Sequence, residues 1–460
     1  MKREAWIIIA LLFFFKTGHA QTISLPPAAG TTITGSIAGD YAGETIISAG
    51  DINGDARADL IVTARNYTPT TRQGQVYIIY GQAAGLPSSI ALSSVGTTVP
   101  GVKITGLSGS YTGAVVAVGD VNGDMKNDIL INDWSGQSVY LLYGSATLPA
   151  AITISSISTT VPGVKIFSGV WTTSISIGDF NKDGKKDIVI GSDNSMSAHL
   201  VYGAATLPST ITLATLPTYG STLTIPGNST KAHTAAADIN KDGFDDVLLT
   251  NQVTRTGYVV FGGASKIPSM SLSSLTGGNG FKIVSSFCGF IYSVGDINDD
   301  SYPDFACRGN VSGTTGWRVG VIFGKPGWSA SIDLGSYLTG PTGFISNDFK
   351  SIPDFGISVS PAGDYNNDAI KDMIIGDPYS GTGRAVILFG KRVWPAVYSL
   401  VTNPINGTQS VQFTGSGFTG ASVGYAENLY GGSGCSADSS YILGSPGYGS
   451  AIGKGYVAKR

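Results

Sequence analysis

The stretch Asp120-Val121-Asn122-Gly123-Asp124-Met125-Lys126-Asn127-Asp128 sets three carboxylates and one amide at alternating positions, and five other segments repeat it. The other copies begin at Asp51, Asp179, Asp238, Asp296 and Asp364. Asp fills the first, fifth and ninth places of all six, Asn fills the third, and the seventh varies freely. A hard, oxygen-seeking cation asks for this spacing: side-chain oxygens from places one, three, five and nine, and a backbone carbonyl from seven. The expected calcium ligands are therefore Asp51, Asn53, Asp55, Arg57 and Asp59; Asp120, Asn122, Asp124, Lys126 and Asp128; and Asp179, Asn181, Asp183, Lys185 and Asp187. The later copies supply Asp238, Asn240, Asp242, Phe244 and Asp246; Asp296, Asn298, Asp300, Tyr302 and Asp304; and Asp364, Asn366, Asp368, Ile370 and Asp372. In each set the fourth-named residue acts through its carbonyl. One copy alone also reads as a solvated Asp/Gly turn; six in register do not arise by coincidence.

These loops are not EF-hands. An EF-hand needs Gly at its sixth place and a bidentate Glu at its twelfth. Only Gly184 and Gly243 meet the first demand, and the twelfth place holds Val62, Ile131, Ile190, Leu249, Cys307 and Ile375. Short β-branched runs such as Leu60-Ile61-Val62 and Ile188-Val189-Ile190 follow each loop, and strand-like residues such as Val115-Val116-Ala117-Val118 precede it. Each loop thus joins two strands of a hairpin. Its ninth-place Asp opens the second strand, which holds that carboxylate rigidly.

The 460 residues include 64 Gly, 10% aromatics and only 13% charged residues, with no helical apolar periodicity after residue 20. That is the composition of a large all-β protein with many tight turns. Three aspartates in each of six loops account for more than half of the 31 acidic residues, and no basic stripe suits nucleic acid. Lys2 and Arg3, the apolar run Trp6 to Phe15 and Gly18-His19-Ala20 before Gln21 form a secretory signal over 1–20, with an uncleaved anchor as the alternative. No second apolar stretch near Arg460 is long enough for a span. Secretion opens the sequons at Asn66, Asn228, Asn310 and Asn406 to glycans, although each also reads as ordinary surface Asn. Three cysteines, Cys288, Cys307 and Cys435, leave at least one unpaired. A bridge between Cys288 and Cys307 is open but disfavoured by their uneven placement about the fifth hairpin.

Successive loops start 69, 59, 59, 58 and 68 residues apart, the mark of a repeat architecture. Each unit carries a second marker, an aromatic-Gly pair ending an apolar strand: Tyr80-Gly81, Tyr143-Gly144, Tyr202-Gly203, Phe261-Gly262, Phe323-Gly324 and Phe389-Gly390. A short loop follows, then a further strand-like segment such as Ile152 to Ile154. Four antiparallel strands per unit make a propeller blade. Tyr441 to Gly444 and Gly455 to Ala458 supply strands of a seventh unit without a metal loop, and Thr22 to Gly35 matches Ser89 to Gly106. The expectation is a seven-bladed β-propeller of four-stranded antiparallel blades, closed by the N-terminal strand joining the last blade. A β-solenoid is the alternative, at the cost of an open edge.

These residues resemble the FG-GAP repeats of the integrin alpha N-terminal β-propeller, over nearly all of residues 22–460. The clearest copy runs from Phe355-Gly356-Ile357-Ser358-Val359 through Ala362-Gly363-Asp364 to Asp372-Met373-Ile374-Ile375-Gly376, while Tyr41-Ala42-Gly43, Tyr111-Thr112-Gly113 and Cys288-Gly289-Phe290 blur the Phe-Gly. The resemblance implies calcium in the loops on the lower face of the propeller, over a domain of 21–460. Integrin alpha subunits carry such loops in only some blades, whereas here six of seven expected blades have them. Leg domains, a membrane helix and a cytoplasmic tail are not expected after Arg460. Similar repeats occur in free-standing surface proteins, in some lectins and in a secreted phospholipase, whose separate catalytic domain has no expected counterpart here.

Three functions compete. The first is a secreted or cell-surface calcium-binding module used in adhesion, taking an extracellular protein or glycan ligand, with any partner subunit left open. The second is an enzyme, which needs titratable groups converging on a pocket. The mature chain offers only His199 and His233, with scattered Asp333, Asp348, Asp354 and Asp377, so no enzymatic activity is expected. The third is a lectin, with Trp134, Trp171, Trp317, Trp328 and Trp394 either stacking on sugars or packing between blades.

Overall fold

The structure, a computed structural model, describes residues 22–24, 30–68, 71–167, 169–193, 195–212, 214–227, 232–285, 287–310, 317–346, 356–378, 383–398, 410–414, 419, 421–426, 440–445 and 452–459. The signal segment, Cys435, Asn228, Asn406, Asp348, Asp354 and Phe355 lie outside the described residues.

Its strands form seven sheets. Blade one shows the plan: Ala42–Gly50, Asp59–Thr68, Gln73–Ile79 and Gly101–Thr105 pair antiparallel in sequence order. Each Asp-rich loop links the first strand of a blade to the second, and Asp59, Asp128, Asp187, Asp246, Asp304 and Asp372 each open that second strand as expected. Second-to-third turns and fourth-to-first connections therefore gather on the opposite face. Blade seven takes Ser422–Ala426, Ser440–Ser445 and Ile452–Lys459 from the end of the chain and Gly30–Ala38 from its beginning. Residues Thr31↔Val457 and Ile33↔Gly455 face each other across that seam. The ring is closed by pairing the two ends of the chain.

Packing confirms the closure. Among the described residues the buried apolar side chains fall into seven clusters, each lying between neighbouring blades. The cluster of blades seven and one joins Ile33, Ile442 and Val457 to Ile46, Leu60 and Tyr77. Each large apolar side chain so buried contributes about 1.5–3 kcal/mol, which is why second strands such as Asp187–Ser192 are buried along their whole length.

Two expectations need correction. Ile152 to Ile154, read as a fourth strand, instead carries a short strand, Ala151–Thr153, that runs parallel to Gly101–Thr105 of the preceding blade. The fourth strand of blade two is Gly163–Phe167. Every blade has such a fifth strand, and its central side chain is buried in Ile90, Ile152, Ile211 and Ile332. The added strand covers the fourth-strand edge, which would otherwise present unpaired amides to solvent. Secondly, Cys288 and Cys307 form a disulfide. The backbone doubles back at Gly289, whose N–H donates to Phe287 O at 3.0 Å and Arg308 O at 2.9 Å, and this fold-back offsets the uneven spacing.

Candidate functional site

The six loops share one internal hydrogen-bond pattern. In the first, the two Asp51 carboxylate oxygens accept from the N–H groups of Gly54 at 2.6 Å, Asp55 at 3.1 Å and Ala56 at 2.6 Å. Asn53 Oδ1 accepts from Asp55 N at 3.0 Å, and Asp55 Oδ1 from Arg57 N at 2.9 Å. The same bonds from places five, six and seven recur at Asp179, Asp238, Asp296 and Asp364. These bonds wind the loop tightly, so its sixth residue adopts left-handed backbone in all six copies: Ala56, Met125, Gly184, Gly243, Ser301 and Ala369. The geometry that favours Gly is thus present even where Gly is not.

The ninth-place carboxylates do something different. Asp128 is fully buried. Its Oδ2 accepts from Val121 N at 2.9 Å, inside the loop, and its Oδ1 from Gly144 N at 2.9 Å, at the end of the third strand. Asp59, Asp187, Asp246, Asp304 and Asp372 make the same pair of bonds, reaching Gly81, Gly203, Gly262, Gly324 and Gly390. This explains the glycine of the aromatic-Gly marker. A Cβ on Gly144 would lie 2.4 Å from the Asn127 carbonyl oxygen, and one on Gly390 2.1 Å from that of Lys371. Only glycine lets the strand end come close enough to meet the carboxylate.

Burial pushes the carboxyls of Asp59, Asp128, Asp187 and Asp372 up to about 7, and that of Asp246 to about 8. The two N–H donors oppose the rise, and the first- and fifth-place carboxylates of the same loop add to it. Asp304 is raised well above the ordinary carboxylate value for the same reasons. Each loop is therefore short of positive charge. Its donors are carboxylate, amide and carbonyl oxygens with no nitrogen or sulfur, a set suited to calcium or magnesium. Among the described residues no three His, Cys, Asp or Glu side chains are gathered as a ready metal-holding group, since the carboxylates are turned onto the amides of the loops. In the first three loops a seventh-place cation lies beside the fifth-place Asp: Arg57 at 3.3 Å, Lys126 at 3.5 Å and Lys185 at 3.8 Å.

The remaining candidates separate cleanly. His199 sits between Ser197 Oγ at 3.3 Å and Thr222 Oγ1 at 3.2 Å, and burial lowers its pKa. His233 packs on Phe290 and Tyr292, and burial lowers its pKa to about 4. Among the described residues neither has a carboxylate partner. Asp377 is buried in an ion pair with Arg384 at 2.9 Å, and Asp333 caps a single-turn helix through Gly335 N. Trp328 and Trp394 stack on Phe281 and Phe344 inside the core, each with ring centroids 4.2 Å apart. Trp317 lies under the Arg308 guanidinium at 3.9 Å. Trp134 and Trp171 remain at the surface as a tilted pair at 6.3 Å.

Sequence reasoning missed a cleft on the face opposite the Asp loops. It is lined by Tyr41, Arg65, Asn66, Arg72, Tyr111 and Trp134 and holds about 540 Å³. Tyr41 and Tyr111 head the blurred Phe-Gly triplets, but no spacing rule joins them to Arg65, Asn66, Arg72 and Trp134, and blades one and two contribute all six. Most of the exposed large apolar side chains lie at the same end of the strands, among them Ile37, Leu107, Phe167, Trp171, Met196 and Val253.

Residues 120–190 and 179–249 match the FG-GAP-like repeat, and residues 45–79 match the FG-GAP repeat. Mouse phosphatidylinositol-glycan-specific phospholipase D (Mus musculus) is 32% identical over 158 residues, which is 32% of this chain and 18% of that protein. Among solved structures, BBS1N in complex with ARL6DN aligns with a TM-score of 0.45 at 8% identity, covering 93% of this chain and 94% of that one. Apo ctPRC2 in an autoinhibited state aligns with a TM-score of 0.49 at 8% identity, covering 92% and 94%.

Proposed function

The chain carries FG-GAP repeats in a propeller that fits the integrin alpha N-terminal family, and from that premise we propose that it is a secreted or cell-surface binding module stabilised by calcium. The observation that carries this reading is the division of labour between the two faces. One face holds six loops of clustered oxygen donors whose buried ninth-place carboxyls are raised well above the ordinary carboxylate value. The other presents variable connections, exposed apolar side chains and a cleft. Loops on a rigid scaffold are where recognition is usually placed.

Calcium here is structural. Bound in a loop, it would offset the repulsion of the clustered carboxylates; Asp at places one, five and nine, Asn at three and the seventh-place carbonyl would hold it. No catalytic role is assigned, because the two histidines are packed and neutral, without an acidic partner among the described residues. Among those residues no helix is long and apolar enough to cross a membrane. The test is capture of ligands from the native extracellular milieu by the immobilised chain, with calcium and with chelator, alongside elemental analysis and melting. Retained ligand and a higher melting temperature in calcium support the reading. A metal-free protein with the same melt in both buffers refutes the calcium role.

A further inference from the structure

We propose that the cleft opposite the Asp loops binds a carboxylate-bearing saccharide, Arg72 taking the carboxylate while the Tyr41, Tyr111 and Trp134 rings pack on sugar faces. The inference deepens the binding-module reading and rests on it. At about 540 Å³ the cleft accommodates one or two sugar rings, within the ordinary range of small-molecule sites.

Its charges are unequally committed. Arg65 is paired with Glu44 and lies 5.1 Å over the Tyr41 ring. Asp40 beneath it is buried and accepts from Ser36 N at 2.7 Å, Ile37 N at 3.2 Å and Ala42 N at 3.0 Å. Asp133, next to Trp134, accepts from Gly136 N at 3.0 Å. Arg72 is exposed, 5.7 Å over the Tyr111 ring, and pairs with no acid among the described residues. It is the cation left for a ligand, and a guanidinium grips a carboxylate through paired N–H donors. The Nδ2 of Asn66 donates to Gly39 O at 2.9 Å, leaving its Oδ1 as an acceptor for a hydroxyl. That bond also ties up the amide that glycosylation of this sequon would need.

The rings favour a sugar over an acidic peptide. Aromatic faces bind C–H surfaces and are amphipathic at their edges, and three of them line a cleft with only one uncommitted cation. The Trp134–Trp171 pair carries the platform onto blade three, where Trp171 is 44% exposed. An oligosaccharide can follow such a row; a lone carboxylate side chain gains nothing from it.

The test is calorimetric titration of the full mature chain in calcium with tetragalacturonate, a hyaluronan tetrasaccharide and sialyllactose, against neutral maltotetraose and a glutamate tetrapeptide. At least one acidic sugar is expected to bind, and maltotetraose and the peptide are not. Arg72→Glu should abolish binding and Trp134→Ala should weaken it at least about tenfold, as loss of an aromatic anchor does. Val393→Ser, exposed on the other face, should leave it unchanged, and Trp134→Phe replaces Trp134→Ala if the latter lowers the melt. Binding that survives Arg72→Glu, equal binding of maltotetraose, preference for the peptide, or no binding of any acidic sugar overturns the assignment. The broader reading fails separately, if the extracellular capture yields no ligand at all.

Discussion

Asp128→Ala is the sharpest probe of the loop architecture. The carboxylate is fully buried and both oxygens accept backbone N–H groups, from Val121 and Gly144 at 2.9 Å each. Alanine leaves two buried donors without a partner, at about 1–3 kcal/mol each, so the gross cost is about 2–6 kcal/mol. Relief of a buried, repelled carboxylate offsets part of this in the metal-free protein, because that group titrates near 7 rather than at 3.8. The expected net loss in chelator at neutral pH is therefore at the low end, about 2–3 kcal/mol. In saturating calcium the same change also removes a ligand, and the loss should grow. Urea unfolding followed by circular dichroism, in chelator and in calcium, reads both numbers. Asp124→Ala is the comparison, since its Oδ1 holds only the exposed Lys126 N–H at 2.9 Å; in chelator it should cost under about 1 kcal/mol. Equal costs for the two variants in chelator would refute the claim that the ninth-place Asp is a metal-independent staple between loop and third strand.

Three further outcomes follow from named features. Met125 is 89% exposed with φ of 67°, so Met125→Gly should stabilise by about 0.5–1 kcal/mol, read as a higher urea midpoint; a lower midpoint would contradict the strain. Raised carboxyl pKa values mean protons stabilise the chelated fold, a contribution complete below about 4 and lost as pH rises through about 7. Chelated protein should therefore melt lower at about pH 8 than at about pH 6.5, with the gap shrinking in calcium; a chelated melt that is flat or rises would count against it. Trp394 is 4% exposed and stacked on Phe344, so Trp394→Ala should cost about 3–5 kcal/mol, whereas a loss under about 1 kcal/mol would return it to the surface.

The blade plan was legible because its instructions are local. Nine residues specify a hairpin loop, β-branched runs flank it, and the interval between copies counts the blades. The match of Thr22 to Gly35 with Ser89 to Gly106 disclosed the closure, although it concealed two strands rather than one, Thr22–Ser24 and Gly30–Ala38. What stayed hidden depends on distant partners. Ala151–Thr153 looks like any fourth strand until its neighbour, Gly101–Thr105 of the previous blade, is known. Trp328 and Trp134 are the same residue type in similar loop sequence, yet one stacks in the core and the other lines a cleft. The cysteine pair was judged by spacing along the chain, which a single fold-back at Gly289 overrode.

The loops also bind blades to each other, and this gives a physical reason for their occurrence in consecutive blades. The eighth-place N–H of one loop donates to the first-place carbonyl of the loop before it: Asn127 to Asp51 at 2.8 Å, Lys186 to Asp120 at 2.8 Å and Asp245 to Asp179 at 3.1 Å. Lys325 and Lys391 reach back to Ile239 and Ile297 at 3.0 and 2.9 Å. Side chains add to the belt, with Lys182 over Phe244 and Lys241 over Tyr302 in successive loops. Asp51, Asp120 and Asp179 therefore each wind their own loop through the carboxylate and hold the next blade through the carbonyl. Disordering one loop removes a donor or acceptor from its neighbour, and a buried amide left unpaired costs about 1–3 kcal/mol. Adjacent loops share that cost around their face, whereas blade seven, whose sequence lacks the motif, is held to blade one by the pairing of Ser89–Ala91 with Gly30–Ala38 and by the apolar cluster between the two blades.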